Sequence, residues 1–170
     1  MEERRTTMDR LTDPRCAGAM NDLLDTLRGP VLLAATVATG LQAGTYYTWA
    51  SGVMPGLART DDHTFVSSMN HINVAIVNPI FMLSFLGAPA LAAAAVAATT
   101  GNARAWAIAG LVCALGTVAV TAMGNVPLND ALAAGGSRAD FETAWVRWNV
   151  VRTVTSTASL ACLAWAALRA

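Results

Sequence analysis

Residues Ala75–Ala98 read AIVNPIFMLSFLGAPALAAAAVAA, twenty-four positions without a formal charge, interrupted only by Pro79 and Pro89. About 20 apolar residues rising 1.5 Å each cross a hydrocarbon core of roughly 30 Å, so this stretch is long enough to span a membrane. Lipid offers the backbone no hydrogen-bond partner, so a span of this kind must satisfy its own amides as a helix. Working outward, Val31–Ala50, Ala105–Gly124 and Val150–Leu168 have the same character, and Arg152 is the one charge among them. Composition agrees. Of 170 residues 55% are hydrophobic and 13% charged, and the mean hydropathy is +0.46, a balance that speaks against a soluble enzyme.

The expected fold is therefore an all-α membrane protein, a four-helix transmembrane bundle over residues 29–170. The segment 1–28, with charges of alternating sign from Glu2 to Arg15, reads as a polar, disordered tail and not as a signal peptide. Pro30 is expected at the start of the first helix. Loops are expected at Ser51–Ser68, Thr99–Arg104 and Asn125–Glu142. No internal repeat is visible, which weakens a transporter reading built on duplicated halves. Arg10, Arg15, Arg28, Arg104 and Arg169 outnumber Arg59, Arg138 and Arg147 of the two longer loops. This mild bias places both termini in the cytoplasm and both long loops outside, in what is expected to be a bacterial cytoplasmic membrane. Eleven arginines balance eleven acidic residues with no basic patch, so nucleic acid is not an expected partner. Cys16, Cys113 and Cys162 are too few and too scattered for a disulfide framework.

If successive helices alternate in direction, four polar segments meet at one membrane face. Gln42, Thr45, Tyr46 and Trp49 share a stripe by their i, i+3, i+4, i+7 spacing, as do Trp145, Trp148, Asn149 and Arg152. Helix two opens with Asn70, His71 and Asn73, and helix three ends in Asn125-Val126-Pro127-Leu128-Asn129-Asp130. The other ends are bland, as in Ala92–Ala98. Convergence of this kind predicts a polar cavity, facing outward, lined by Gln42, Tyr46, Asn73, Asn129, Trp148, Asn149 and Arg152. Plainer readings stand beside it. The tryptophans could form an interfacial belt, and the Asn, Ser and Thr residues could join helices. Arg152 is expensive within a span and is expected to find a partner in the loop after helix three, Asp130 first, with Asp140 and Glu142 as further candidates.

The blocks Met69-Asn70-His71-Ile72-Asn73, Asn78-Pro79-Ile80-Phe81, Asn125-Val126-Pro127-Leu128-Asn129 and Trp145-Val146-Arg147-Trp148-Asn149-Val150-Val151-Arg152-Thr153 resemble the anthrone oxygenase-like family of small integral membrane proteins. The resemblance extends over Val31–Leu168. It implies a four-helix membrane bundle and, for some members, oxidation of an anthrone or similar polyketide-type aromatic by molecular oxygen, without an organic cofactor. Such chemistry needs a base, for which a histidine is suited, His71 or else His63. It needs donors to a developing oxyanion, which Arg152, Asn73 and Asn129 can supply. It needs a flat lining, expected from Tyr46, Trp145 and Trp148 beside Gln42 and Asn149. Two other classes stay open: a non-catalytic protein binding a lipid, a small aromatic ligand or a partner subunit, and a copper protein using His63, His71, Met54 and Met69. A homo-oligomer is open as well.

Overall fold

The computed structural model describes residues 14–170, and among these there is no strand. Helix α1 (Pro14–Thr48) runs through a wide π turn (Trp49–Val53) into a short helical turn, Met54–Leu57. Then follow α2 (Asp62–Ala75), α3 (Pro79–Ala98) and α4 (Gly101–Val120). A second π turn (Thr121–Asn125) leads into α5 (Val126–Ala133), and α6 (Arg138–Leu168) closes the chain. Three helical stretches, α3, Gly101–Ala133 and α6, are long and apolar enough to cross a membrane. The protein is thus built as an integral membrane protein. Helix α1 packs against α3 and α6, and α4 packs against the same two, so the four long helices surround a common core.

At one end that core is made of small side chains. Ala92, Ala95, Ala107 and Ala166 are buried against Leu32 and Leu163. At Gly110 a Cβ would lie 2.8 Å from the Leu163 side chain, so glycine lets α4 and α6 close up. In that space Ser159 Oγ donates to the Gly110 carbonyl (2.7 Å). Thr36 and Thr39 donate to the carbonyls four residues back, at 2.7 Å each, which satisfies hydroxyls where water is scarce.

The structure corrects several boundaries. Helix α1 is already formed at Pro14, and Pro30 lies inside it. The remainder of the expected tail, residues 1–13, lies outside the described residues. An interior proline removes one helical hydrogen bond, and α1 continues through it with Arg28 tied to Asp25 and, by Nε, to the Ala98 carbonyl of α3 (3.1 Å). The two expected long loops are largely helical. Asp61 caps α2 by accepting from the Thr64 amide (2.9 Å), and Ser137 caps α6 by accepting from the Asp140 amide (3.2 Å).

These segments form a helical cap over the polar end, with its own core of Trp49, Met54, Phe65, Met69, Leu132, Phe141 and Trp145. Arg138 fastens it. Its Nε donates to Glu142 (2.7 Å), its Nη atoms donate to the Thr60 and Ala58 carbonyls (2.9 and 3.0 Å), and its guanidinium lies 4.5 Å from the Phe65 ring centroid.

Candidate functional site

A cavity of about 260 Å³ lies beneath this cap. Tyr46 reaches it from the end of α1, Trp49 from the first π turn, Asn73 from α2, Thr121 and Asn125 from the second π turn, Asn129 from α5, and Trp145 and Arg152 from α6. The opposite wall is apolar, with Ile76 and Val77 from the α2–α3 corner and Phe81, Met82 and Phe85 from α3. Phe81 and Phe85 stack at 5.6 Å and 14°. Both π turns border the cavity. An extra residue per turn widens a helix locally, and such turns recur where side chains must be turned toward a site.

Arg152 is the central group. It is 7% exposed, and its guanidinium carbon sits 4.6 Å from the Tyr46 ring centroid and 5.1 Å from that of Trp145. Aromatic faces attract a cation poorly reached by water. Its Nη2 donates to Asn149 Oδ1 (2.9 Å), while Asn149 Nδ2 donates to the Tyr46 carbonyl (3.2 Å). Trp145 is positioned twice. Its indole Nε1 donates to Asn129 Oδ1 (2.9 Å), and its carbonyl accepts from Asn125 Nδ2 (3.3 Å).

Four buried polar atoms on this lining have no partner: Tyr46 Oη, Asn73 Nδ2, Asn125 Oδ1 and Arg152 Nε. An unpaired buried polar atom costs about 1–3 kcal/mol, so four in one cavity describe a surface shaped for a polar counterpart.

The structure thus brings Tyr46, Asn73, Asn129, Trp145 and Arg152 to one cavity. Other expected residues fall elsewhere. Gln42 is buried deeper, donating to Ser84 Oγ (2.7 Å) beside a small separate void. Asn149 stands behind Arg152 as its acceptor and does not line the cavity. Trp148 is 41% exposed and lies over Gly124, where a Cβ would come within 2.6 Å of its ring. The expected partnership of Arg152 with the loop after helix three is also corrected. Asp130 is exposed, Asp140 bonds to Ser137, and Glu142 is taken by Arg138, so among the described residues no carboxylate pairs with Arg152.

His63 and His71 are both exposed, and His71 Nδ1 is 2.7 Å from the Ser67 carbonyl. His71 lies near the end of α2, not at the start of a spanning helix, because the chain breaks at Val77 and Asn78 before α3 begins. Neither imidazole lines the cavity. Met54 and Met69 are buried in the cap core, apart from the exposed imidazoles, and no group of three His, Cys, Asp or Glu among the described residues is arranged for a metal ion.

Sequence reasoning did not assign Thr121, Asn125 or the Phe81–Phe85 wall to the site. Asn125 was readable as a helix terminator beside Pro127, and nothing local announces a π turn.

Residues 71–162 match the family model described as Anthrone oxygenase. The chain belongs to the anthrone oxygenase family. No curated protein and no solved structure matches it. The part of this anthrone oxygenase family member that carries the match contributes Asn73, Asn125, Asn129, Trp145 and Arg152, whereas Tyr46 and Trp49 precede it.

Proposed function

We propose that this protein is a membrane-embedded oxygenase of an anthrone-like or other polycyclic aromatic or phenolic substrate, using molecular oxygen and no organic cofactor. The observation that carries the reading is a buried guanidinium without a carboxylate partner, set between aromatic rings in a cavity with three further unpaired polar atoms. A cation of this kind favours an anionic ligand, and the flat walls favour an aromatic one.

The chemistry follows from the substrate. An anthrone carries a methylene between two rings, opposite a carbonyl. Loss of one methylene proton gives a delocalised anion with its charge on oxygen. In this reading Arg152 Nε and Asn73 Nδ2, both unpaired on the lining, donate to that oxygen, an interaction stronger in a water-poor site than in solvent. The electron-rich carbon then passes electrons to oxygen and forms a C–O bond. Loss of water leaves a second carbonyl, so one O₂ and one CH₂ yield one C=O and one H₂O.

Among the described residues, Tyr46 and Arg152 are the only ionisable side chains on the lining. The proton therefore passes to water, with Arg152 stabilising the anion left behind. His71 and His63 stand outside this scheme. The bundle sits in a bacterial cytoplasmic membrane with α1 as a fourth span, both termini inside and the cavity toward the outer face, on the arginine bias.

The same absence of an acidic or imidazole base on the lining supports a second reading, a non-catalytic protein that binds a small aromatic ligand or lipid. Oxygen uptake decides between them. Purified protein in lipid vesicles given an anthrone should consume one O₂ per anthraquinone formed, well above the protein-free rate. Binding without uptake would leave the second reading.

A further inference from the structure

Of the fourteen residues lining the cavity, two are exposed: Val77 at 70% and Val126 at 42%. Both are valines. The surface beside them is equally apolar, with Val74 (78%), Ile80 (85%) and Met123 (73%) next around the rim. No charged residue occurs in 74–82 or 121–129. A mouth opening to water would expose its polar lining most, and here Asn73, Thr121 and Asn129 are half-buried and Tyr46, Asn125 and Arg152 buried, all less exposed than the two valines.

A second observation concerns the chain break beside Val77. Where helix α2 gives way to α3, backbone groups lose their helical partners, and in contact with lipid each would be costly. One side chain supplies several of them. Asn78 Oδ1 accepts from the Ile80 and Phe81 amides (3.0 and 3.1 Å), and its Nδ2 donates to the Ala75 carbonyl (2.9 Å). The Asn78 amide itself donates to the Ile76 carbonyl (2.8 Å). Much of the corner is thus satisfied from within, as suits a break beside acyl chains.

Depth is set by α3. Its 20 residues measure about 30 Å, the thickness of the hydrocarbon core, so the corner preceding Pro79 lies at the edge of one leaflet.

We propose that the cavity opens sideways, between Val77 and Val126, to the acyl chains just below the headgroups of one leaflet, and takes its aromatic ligand from solution in the lipid. The ligand chemistry rests on the function proposed above, whereas the position of the mouth does not. A neutral flat aromatic concentrates in the bilayer, passes between the valines, and meets Arg152 at the far wall. Oxygen, an apolar solute, reaches the cavity by the same opening.

The test places a nitroxide on a cysteine substituted at residue 77, and separately at 126, in a background with the native cysteines replaced, in vesicles. Collision with a water-soluble nickel chelate is compared with collision with oxygen, and exposed Asp62 on α2 provides the control position. At 77 and 126 chelate collisions should be about tenfold fewer than at 62, with oxygen collisions at least as frequent, because a polar chelate is excluded from hydrocarbon. Chelate collisions equal to the control would overturn the proposal. Where labelling prevents folding, the substitution Val77→Trp gives a second measure. Quenching of intrinsic tryptophan emission by added anthrone, with the mutant's own baseline subtracted, should slow about tenfold, while Val112→Trp, at an exposed position on α4 outside the lining, leaves it unchanged. Equal rates in both would also overturn it. A lipid-facing mouth on a protein that neither binds nor oxidises anthrone would refute the proposed function and leave the lateral opening standing.

Discussion

Arg152 combines two demands that usually conflict, burial and charge. Its positive charge is held by one amide oxygen and two ring faces, so replacing it by leucine removes the charge without stranding a buried carboxylate. Arg152→Leu should insert with unchanged helix content by circular dichroism, while anthrone-dependent oxygen uptake falls by roughly 10²–10³-fold, the usual effect of losing an oxyanion donor. Arg152→Lys should restore little, because an ammonium lacks the planar face that lies against Tyr46 and Trp145. His71→Asn should keep the wild-type rate and pH profile, since the ring is exposed and outside the cavity. A loss of rate there would return the proton transfer to His71. At this scale helical spacing found Tyr46, Trp145 and Arg152 together. It misplaced Trp148, because a stripe one turn wide does not say which edge meets a neighbouring helix. That edge is decided by Gly124, whose missing side chain receives the Trp148 ring.

Single elements depend on their caps, and the caps make separate predictions. Asn78→Ala removes acceptors from two amides and a donor from the Ala75 carbonyl at once. It should cost about 1 kcal/mol or more for each group left unpaired, seen as a lowered thermal midpoint in lipid. At Asp61 the Thr64 hydroxyl and amide hold the carboxyl below its ordinary 3.8. A carboxyl lowered on folding stabilises the folded state above its unfolded pKa and loses that effect as pH falls through the folded value. The wild-type midpoint should thus drop more steeply below about pH 3.8 than that of Asp61→Asn, in melts run from pH 6 to pH 2. Parallel curves would show that the cap of α2 carries no acid sensitivity. The apolar runs were legible as helices because length and composition alone fix them. The cap was not, since polar residues at 51–68 and 125–142 read as loop. Its signals, Asp61-Asp62-His63-Thr64 and Ser137-Arg138-Ala139-Asp140, are short capping patterns whose helices become stable only when Phe65 and Phe141 meet in a shared core.

For the whole molecule, the two ends divide the work: a close-packed alanine end holds the helices together, and the capped end keeps an open volume among larger side chains. The wide turns Trp49–Val53 and Thr121–Asn125 join the two regimes. Each such turn carries one residue beyond what an α-helix requires. Deleting one position within 121–125 would let the backbone relax to an ordinary helix, which keeps the direction of the helix that follows but re-aims the side chains that the wide turn presents. Asn125 would leave the cavity, and the Trp145 carbonyl would lose its donor. The expected product has undiminished helicity and normal membrane insertion but no measurable oxygen uptake, whereas a deletion in the exposed turn at 134–136 should be much milder. In evolutionary terms the spare residue behaves as a heritable indel. A lineage that lost it would keep the scaffold and forfeit the chemistry in a single step, and could regain it by a single insertion.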